Sequence, residues 1–202
     1  MMIVITILAT VALPVFNGIQ ERAHITEDLS NLRQIGIGTQ TYLNDHDNVL
    51  FSTTAGTWMA QLHPKYLPSW KIFQSPFDTR SPQENDATAP VSYGLNGNSG
   101  IVGLSEDKVA RPSVFILFAP AQNANSTVSF SGTAASDVTV LRNASTPAAT
   151  ALGGTHTKRQ RINALFADIH SEGMTWTTFT QGGTATPTDD ANYRWDPTQP
   201  WP

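Results

Sequence analysis

Four residues near the end of the sequence are those best suited to move a proton or hold a metal: His156, Asp168, His170 and Glu172. Imidazole and carboxylate exchange protons near neutral pH, and both ligate zinc. In an extended strand His170 and Glu172 project from one face, which suits a ligand pair and a solvated strand edge equally. A second group, Asp45, Asp47 and Asn48 in NDHDN, presents oxygens of the kind that bind a hard cation such as Ca²⁺. The same residues suit a helix C-terminal cap and turn, and their spacing is not that of an EF-hand. There is no HExxH, no G-x-S-x-G, no Walker-type loop, no dinucleotide-binding glycine pattern and no cysteine. The residues therefore predict a chain that is not an enzyme, with no cofactor beyond that calcium option.

Charge narrows the partners. Twelve Lys and Arg stand against 16 Asp and Glu, a formal net charge of -4, so the cationic footprint of a nucleic-acid binder is missing. The one basic cluster, Lys158, Arg159 and Arg161, reads as the solvated flank of a turn. Charged residues make up 14% of the chain, against roughly 25% in ordinary soluble domains. With abundant Gly, Pro, Ser, Thr and Asn, that favours strands and loops after the first quarter of the chain.

The elements that position these groups begin with residues 1–16, MMIVITILATVALPVF, a stretch without a charge. As a helix it is apolar all round and covers about 24 Å, a little less than the roughly 20 residues that span a bilayer. A signal peptide would carry a basic segment first and small residues at its cleavage site. A buried core helix would leave the chain's start uncapped inside the protein. The remaining reading is a membrane helix whose first residues precede Met1, and residues 17–43 agree with it. Ile25, Leu29, Leu32, Ile35 or Gly36, and Thr39 or Leu43 recur at helical spacing, so one long helix turns from apolar to amphipathic. Glu21, Arg22, Glu27, Asp28 and Arg33 are expected on its solvated face. Pro14 and Gly18 predict a bend or an opened turn between them.

MMIVITILATVALPVFNGIQERA resembles the start of a type IV pilin or type II secretion pseudopilin. In those proteins a basic leader ending in Gly precedes Phe-Thr-Leu-Ile-Glu and an apolar helix. The resemblance implies that the processing site, a methylated Phe and that Glu lie before Met1. Later segments resemble the prepilin-like branch with an H-x9-DG motif, the DUF1559-like proteins. They are NLRQIGIGTQTYLNDHDNVL at 31–50, FQSPFD at 73–78 with Ser75 in place of Cys, SYGLN at 92–96 and RPSVFILFA at 111–119. His156 and Asp168 fall on the naming motif, with eleven residues between them rather than nine and Ile169 in place of its glycine.

Pattern and resemblance together predict an α+β fold, a long N-terminal helix packed on a small antiparallel sheet. Residues 1–43 form the helix, with 1–16 as the membrane or filament anchor, and 44–202 form the head. Trp58, Leu62, Tyr66, Leu67, Trp70 and Phe73 are expected to glue head to helix, with helical turns near Trp58–Leu62. VFILFA at 114–119 reads as a central strand and RINALFAD at 161–168 as another, with 174–179 pairing beside it across IHSEG. Residues 127–130 and 138–141 read as edge strands. The tail NYRWDPTQPWP reads as irregular, pinned by Trp195 and Trp201.

The resemblance implies a structural subunit of a pilus-like or secretion-pseudopilus filament, taking part in protein transport or displayed at the cell surface. It would sit in the inner membrane as a single-pass protein, head outward. Val4, Ile5, Ile7, Leu8, Val11, Leu13, Val15 and Phe16 would pack against equivalent helices. Implied partners are further copies or related pseudopilins, membrane lipid, a prepilin peptidase, an assembly ATPase and a platform protein. A membrane-anchored adhesin or cargo-binding protein is the alternative, and a hydrolase a more distant one. A deep cleft joining His156, Asp168 and His170 would mark the hydrolase.

Overall fold

The structure is a computed structural model that describes residues 2–51, 57–80, 91–96, 103–122, 130, 152–180 and 190–197, with side chains described from residue 16 onward and not at 191–192. Helix α1 runs from Met2 to Asp45, 44 residues, or about 66 Å at 1.5 Å per residue. It passes through Pro14 and Gly18 as unbroken helix, so the expected opened turn is absent. One proline removes one hydrogen bond, and the turns on either side keep theirs.

No helix among the described residues is long and apolar enough to cross a membrane. The expected transmembrane helix and single-pass inner-membrane location do not hold. Among the described residues the uncharged part of α1, residues 2–16, covers about 22 Å before Asn17, Gln20, Glu21 and Arg22 follow, against a hydrocarbon core of about 30 Å.

The second half of α1 is a core element. Leu32, Ile35, Gly36, Thr39 and Leu43 are buried, the stripe that the helical spacing predicts. Asp28 is buried with them, at 0% exposure, and the expectation of a solvated Asp28 fails. The helix ends where Asn48 N–H donates to the Leu43 carbonyl at 2.9 Å. There Asp47 and Asn48 take positive φ of 53° and 58°, a conformation that Asn and Asp tolerate better than most residues.

The head is built on one antiparallel sheet in the order β1 (Tyr93–Leu95), β2 (Ile116–Pro120), β3 (Arg161–Phe166) and β4 (Ser171–Thr175). VFILFA thus supplies an interior strand, as its β-branched and aromatic content predicts. Alternation along β3 sorts its side chains: Ile162, Ala164 and Phe166 face one layer, while Leu165 joins the core beneath α1. Three layers result, with α1 on one face and α3 (Trp176–Thr180) and α4 (Asp190–Trp195) on the other.

Strand β4 begins earlier than the sequence suggests, because Ile169 adopts a φ of 68° and closes the turn before Ser171. The strand ends at Thr175, whose hydroxyl accepts the Thr178 N–H at 3.1 Å and caps α3. Residues 176–179 are therefore helix rather than strand. The tail also holds helix where none is expected: α4 is anchored by Trp195, which donates from Nε1 to the Phe179 carbonyl at 3.1 Å. The expected strand at 138–141, residues 127–129 and Trp201 lie outside the described residues, and Phe130 forms an isolated bridge with Gln122.

The aromatic group closes the head against α1. Trp58 opens the short helix α2 (Trp58–Leu62) and lies 4.7 Å from Phe118 and 5.5 Å from Phe73, ring centre to ring centre. Tyr42 of α1 lies 5.0 Å from Phe51 and donates to Gln61 at 2.9 Å. Aromatic pairs at such spacings add about 1 kcal/mol each beyond the area they bury.

Candidate functional site

Where α1 enters the core, one carboxylate gathers the head. Asp28 Oδ1 accepts from the Ser75 hydroxyl at 2.6 Å and from Tyr93 OH at 2.7 Å; its Oδ2 accepts from Asn163 Nδ2 at 2.8 Å. These donors come from FQSPFD, from β1 within SYGLN, and from β3. The 73–78 segment, β1 and β3 thus meet at a single side chain of the helix. Alternation places Asn163 on the α1 side of β3. Asn163 also donates to the Ile25 carbonyl at 3.4 Å, while its Oδ1 is buried without a partner.

Burial pushes the Asp28 carboxyl above its ordinary value, the three hydrogen bonds oppose that shift, and the neighbouring charge of Glu27 adds to it. Burial also holds the Tyr93 hydroxyl well above the usual phenol range, and the adjacent Asp28 reinforces it.

A second carboxylate ties the same segments together. Asp78 accepts from Arg80 Nη2 and from the Ser92 hydroxyl, each at 2.6 Å. Burial raises this carboxyl, but the bonds from Arg80 and Ser92 and the guanidinium charge outweigh burial and leave it below its ordinary value. Beside Asp78 runs an open polar groove of about 410 Å³ between α1 and the 69–78 segment, with Glu27, Asn31, Gln34, Lys71 and Gln74 on its walls.

N-terminal to Glu21 the described side chains of the helix face solvent. Phe16 and Ile19 are 58% and 60% exposed, and every side chain described from 16 to 20 is exposed. The contacts before Asp28 are sparse. Glu21 accepts from Thr157 N–H at 2.5 Å, and His24 meets the Phe77 ring edge-on at 5.7 Å. Of the eight residues expected to pack between helices, Phe16 is exposed, and the side chains of the other seven lie outside the described residues.

The groups suited to catalysis do not come together. His156 bridges to Arg161 at the start of β3, whereas Phe166 N–H donates to the His170 carbonyl at its far end. Five residues of strand separate those ends by about 17 Å. His156 stacks on Phe77 at 5.6 Å and is lowered to about 4, by burial first and by the Arg161 charge, with Glu21 opposing. Asp168 and His170 pair with each other at the surface, and Glu172 is exposed on β4.

Asp45 is held by Lys65 at 2.8 Å and Tyr66 at 3.0 Å. The hydrogen bonds from Lys65 and Tyr66 and the ammonium charge lower its carboxyl. Among the described residues no three His, Cys, Asp or Glu are grouped to hold a metal ion. Arg159, expected in solvent, is 7% exposed and donates to the Gly154 carbonyl and to Gln122, each at 3.0 Å.

The Asp28 cluster escapes a reading of the sequence because a carboxylate between Glu27 and Leu29 looks solvated. Its position is the available signal: residue 28 falls one turn before Leu32 on the stripe that continues through Ile35 and Thr39. Comparison with protein families, curated proteins and solved structures finds no match.

Proposed function

We propose that this chain is a structural subunit of a filament of the type IV pilus or type II secretion pseudopilus kind, assembled through the leading part of α1. The observation that carries the reading is the unequal seating of one unbroken helix. Its second half is buried from Asp28 onward, while Phe16 and Ile19 ahead of it are open to solvent. An apolar segment joined rigidly to a folded head gains about 0.8 kcal/mol for each methylene it removes from water. Equivalent helices of other subunits supply that cover. Contacts between different faces of successive copies propagate as an open helical array. A prepilin peptidase, an assembly ATPase and a platform protein are the partners that the sequence resemblance implies.

Sedimentation velocity and negative-stain electron microscopy of the full chain test the reading. Concentration-dependent assembly into filaments is expected. Ile19→Glu should abolish it while the near-ultraviolet signal of the buried tryptophans stays unchanged. A full chain that remains monomeric at every concentration refutes the reading, as does an Ile19→Glu variant that assembles as well as the parent.

A further inference from the structure

Asp28 stands at the boundary between the two halves of α1. Beyond it, Leu32, Ile35, Thr39 and Leu43 hold the helix down by packing, joined by the hydrogen bonds of Asn31 to the Gln74 carbonyl and of Tyr42 to Gln61. Before it, the helix is tied by the Glu21 bond to Thr157, the His24 edge on Phe77 and the Asn163 bond to the Ile25 carbonyl. At the boundary a fully buried carboxyl meets three neutral donors, and no Lys or Arg among the described residues forms an ion pair with it. A buried carboxylate without a cation is costly, whereas a neutral carboxyl in the same place is not.

We propose that Asp28 is a proton-operated clasp that sets how far α1 stays seated on the head: protonated, it closes the boundary turn, and ionised, it loosens the helix back toward Glu21. The hydrogen-bond inventory allows both states. Ionised Asp28 uses Ser75, Tyr93 and Asn163 as donors and leaves Asn163 Oδ1 buried without a partner. When Asp28 takes a proton from water, the Ser75 hydroxyl, an acceptor as well as a donor, turns to take the new O–H, and Asn163 keeps its bonds to Asp28 and to the Ile25 carbonyl.

The surrounding charges do not substitute for the proton. Glu27 on α1 has the same sign as Asp28. On the 69–80 segment Asp78 and Arg80 neutralise each other, and Lys71 is exposed at the groove. Tyr93 of β1 stays neutral, and Arg161 of β3 donates to the Gly173 carbonyl at 2.6 Å. Glu172 of β4 faces solvent, and His156, near Glu21, is neutral except in acid. The folded-state value of Asp28 lies above the unfolded one. Its contribution to stability is therefore complete below the ordinary aspartate value and is lost as pH rises through the folded value.

Two measurements on the dilute full chain test the clasp, and both are internal to one molecule, so they stand or fall apart from filament assembly. Carboxyl ¹³C NMR should show Asp28 titrating above an ordinary aspartate. Tryptic cleavage after the exposed Arg22 should accelerate as pH rises through that midpoint, while cleavage after Arg33, in the packed half, should not. Asp28→Asn should remove the pH response at Arg22 when compared at the same pH. Tyr93→Phe, which deletes a donor to the ionised form, should move the midpoint higher still. A midpoint at or below that of ordinary aspartate overturns the proposal, as does equal Arg22 cleavage in the parent and Asp28→Asn at all pH values. If Asp28→Asn does not fold, a Tyr93→Phe midpoint equal to the parent's overturns it as well.

Discussion

Three glycines of α1 give the seating of the helix a quantitative test. A Cβ built on Gly38 would lie 2.8 Å from Leu67 Cγ and 3.0 and 3.2 Å from its two methyls. On Gly36 it would meet Ile169 Cγ2 and Leu165 Cδ1, both at 3.0 Å, and on Gly18 nothing within 4 Å. Each Gly→Ala change gains about 1 kcal/mol of helix propensity. Against this, forcing a methyl into a packed core costs about 1–3 kcal/mol. At Gly38 the obstacle includes the branch carbon of a buried leucine, so Gly38→Ala should be destabilising by about 1 kcal/mol net. At Gly36 the obstacles are methyl ends that can give way, and gain and cost should nearly cancel. Gly18→Ala keeps the whole gain, visible as greater helicity by circular dichroism. Urea unfolding followed through the buried Trp58 and Trp70 reads the two core variants. A Gly38→Ala protein as stable as its propensity alone predicts would refute the close approach of α1 to the 58–73 segment.

Further outcomes are expected at other sites. His156 is lowered to about 4 in the folded chain, so stability should fall as pH drops from about 6.5 toward that value. His156→Phe should remove that loss in acid unfolding curves, and NMR should show the imidazole still neutral at pH 5. Ile169 holds a φ of 68°, a conformation that costs a β-branched residue about 1–2 kcal/mol. Ile169→Asn should therefore shift urea stability by less than about 1 kcal/mol, relief of strain offsetting lost packing. Ile162→Asn, the same chemical change on buried β3, should prevent cooperative folding. Arg80→Met leaves the Asp78 carboxylate with the Ser92 hydroxyl and the backbone N–H of residue 80 but no cation, and should cost about 3 kcal/mol in the same assay.

The broad architecture was legible because periodicity reports burial. Leu32, Ile35, Thr39 and Leu43 mark the seated face of α1, and VFILFA and RINALF mark the two interior strands. Local composition was a poorer guide where one side chain decides the outcome. A single Thr175 hydroxyl turns β-prone residues 176–179 into α3, and the Trp195 anchor accompanies α4 in a tail rich in proline. The Asp28 cluster was hidden for a different reason. Its partners are 47, 65 and 135 residues away in sequence, so no local pattern distinguishes this carboxylate from its solvated neighbours. The apolar start of the chain was legible as a helix, but among the described residues no helix is long and apolar enough to cross a membrane, since polar residues follow from Asn17 onward.

Electron cryo-microscopy of assemblies formed by the full chain tests the central claim most directly. The account predicts filaments in which the leading parts of α1 from successive subunits pack about 8–10 Å apart, axis to axis, with Phe16 and Ile19 at the contacts. A chain that stays monomeric, or assemblies in which Phe16 and Ile19 face solvent, would contradict it.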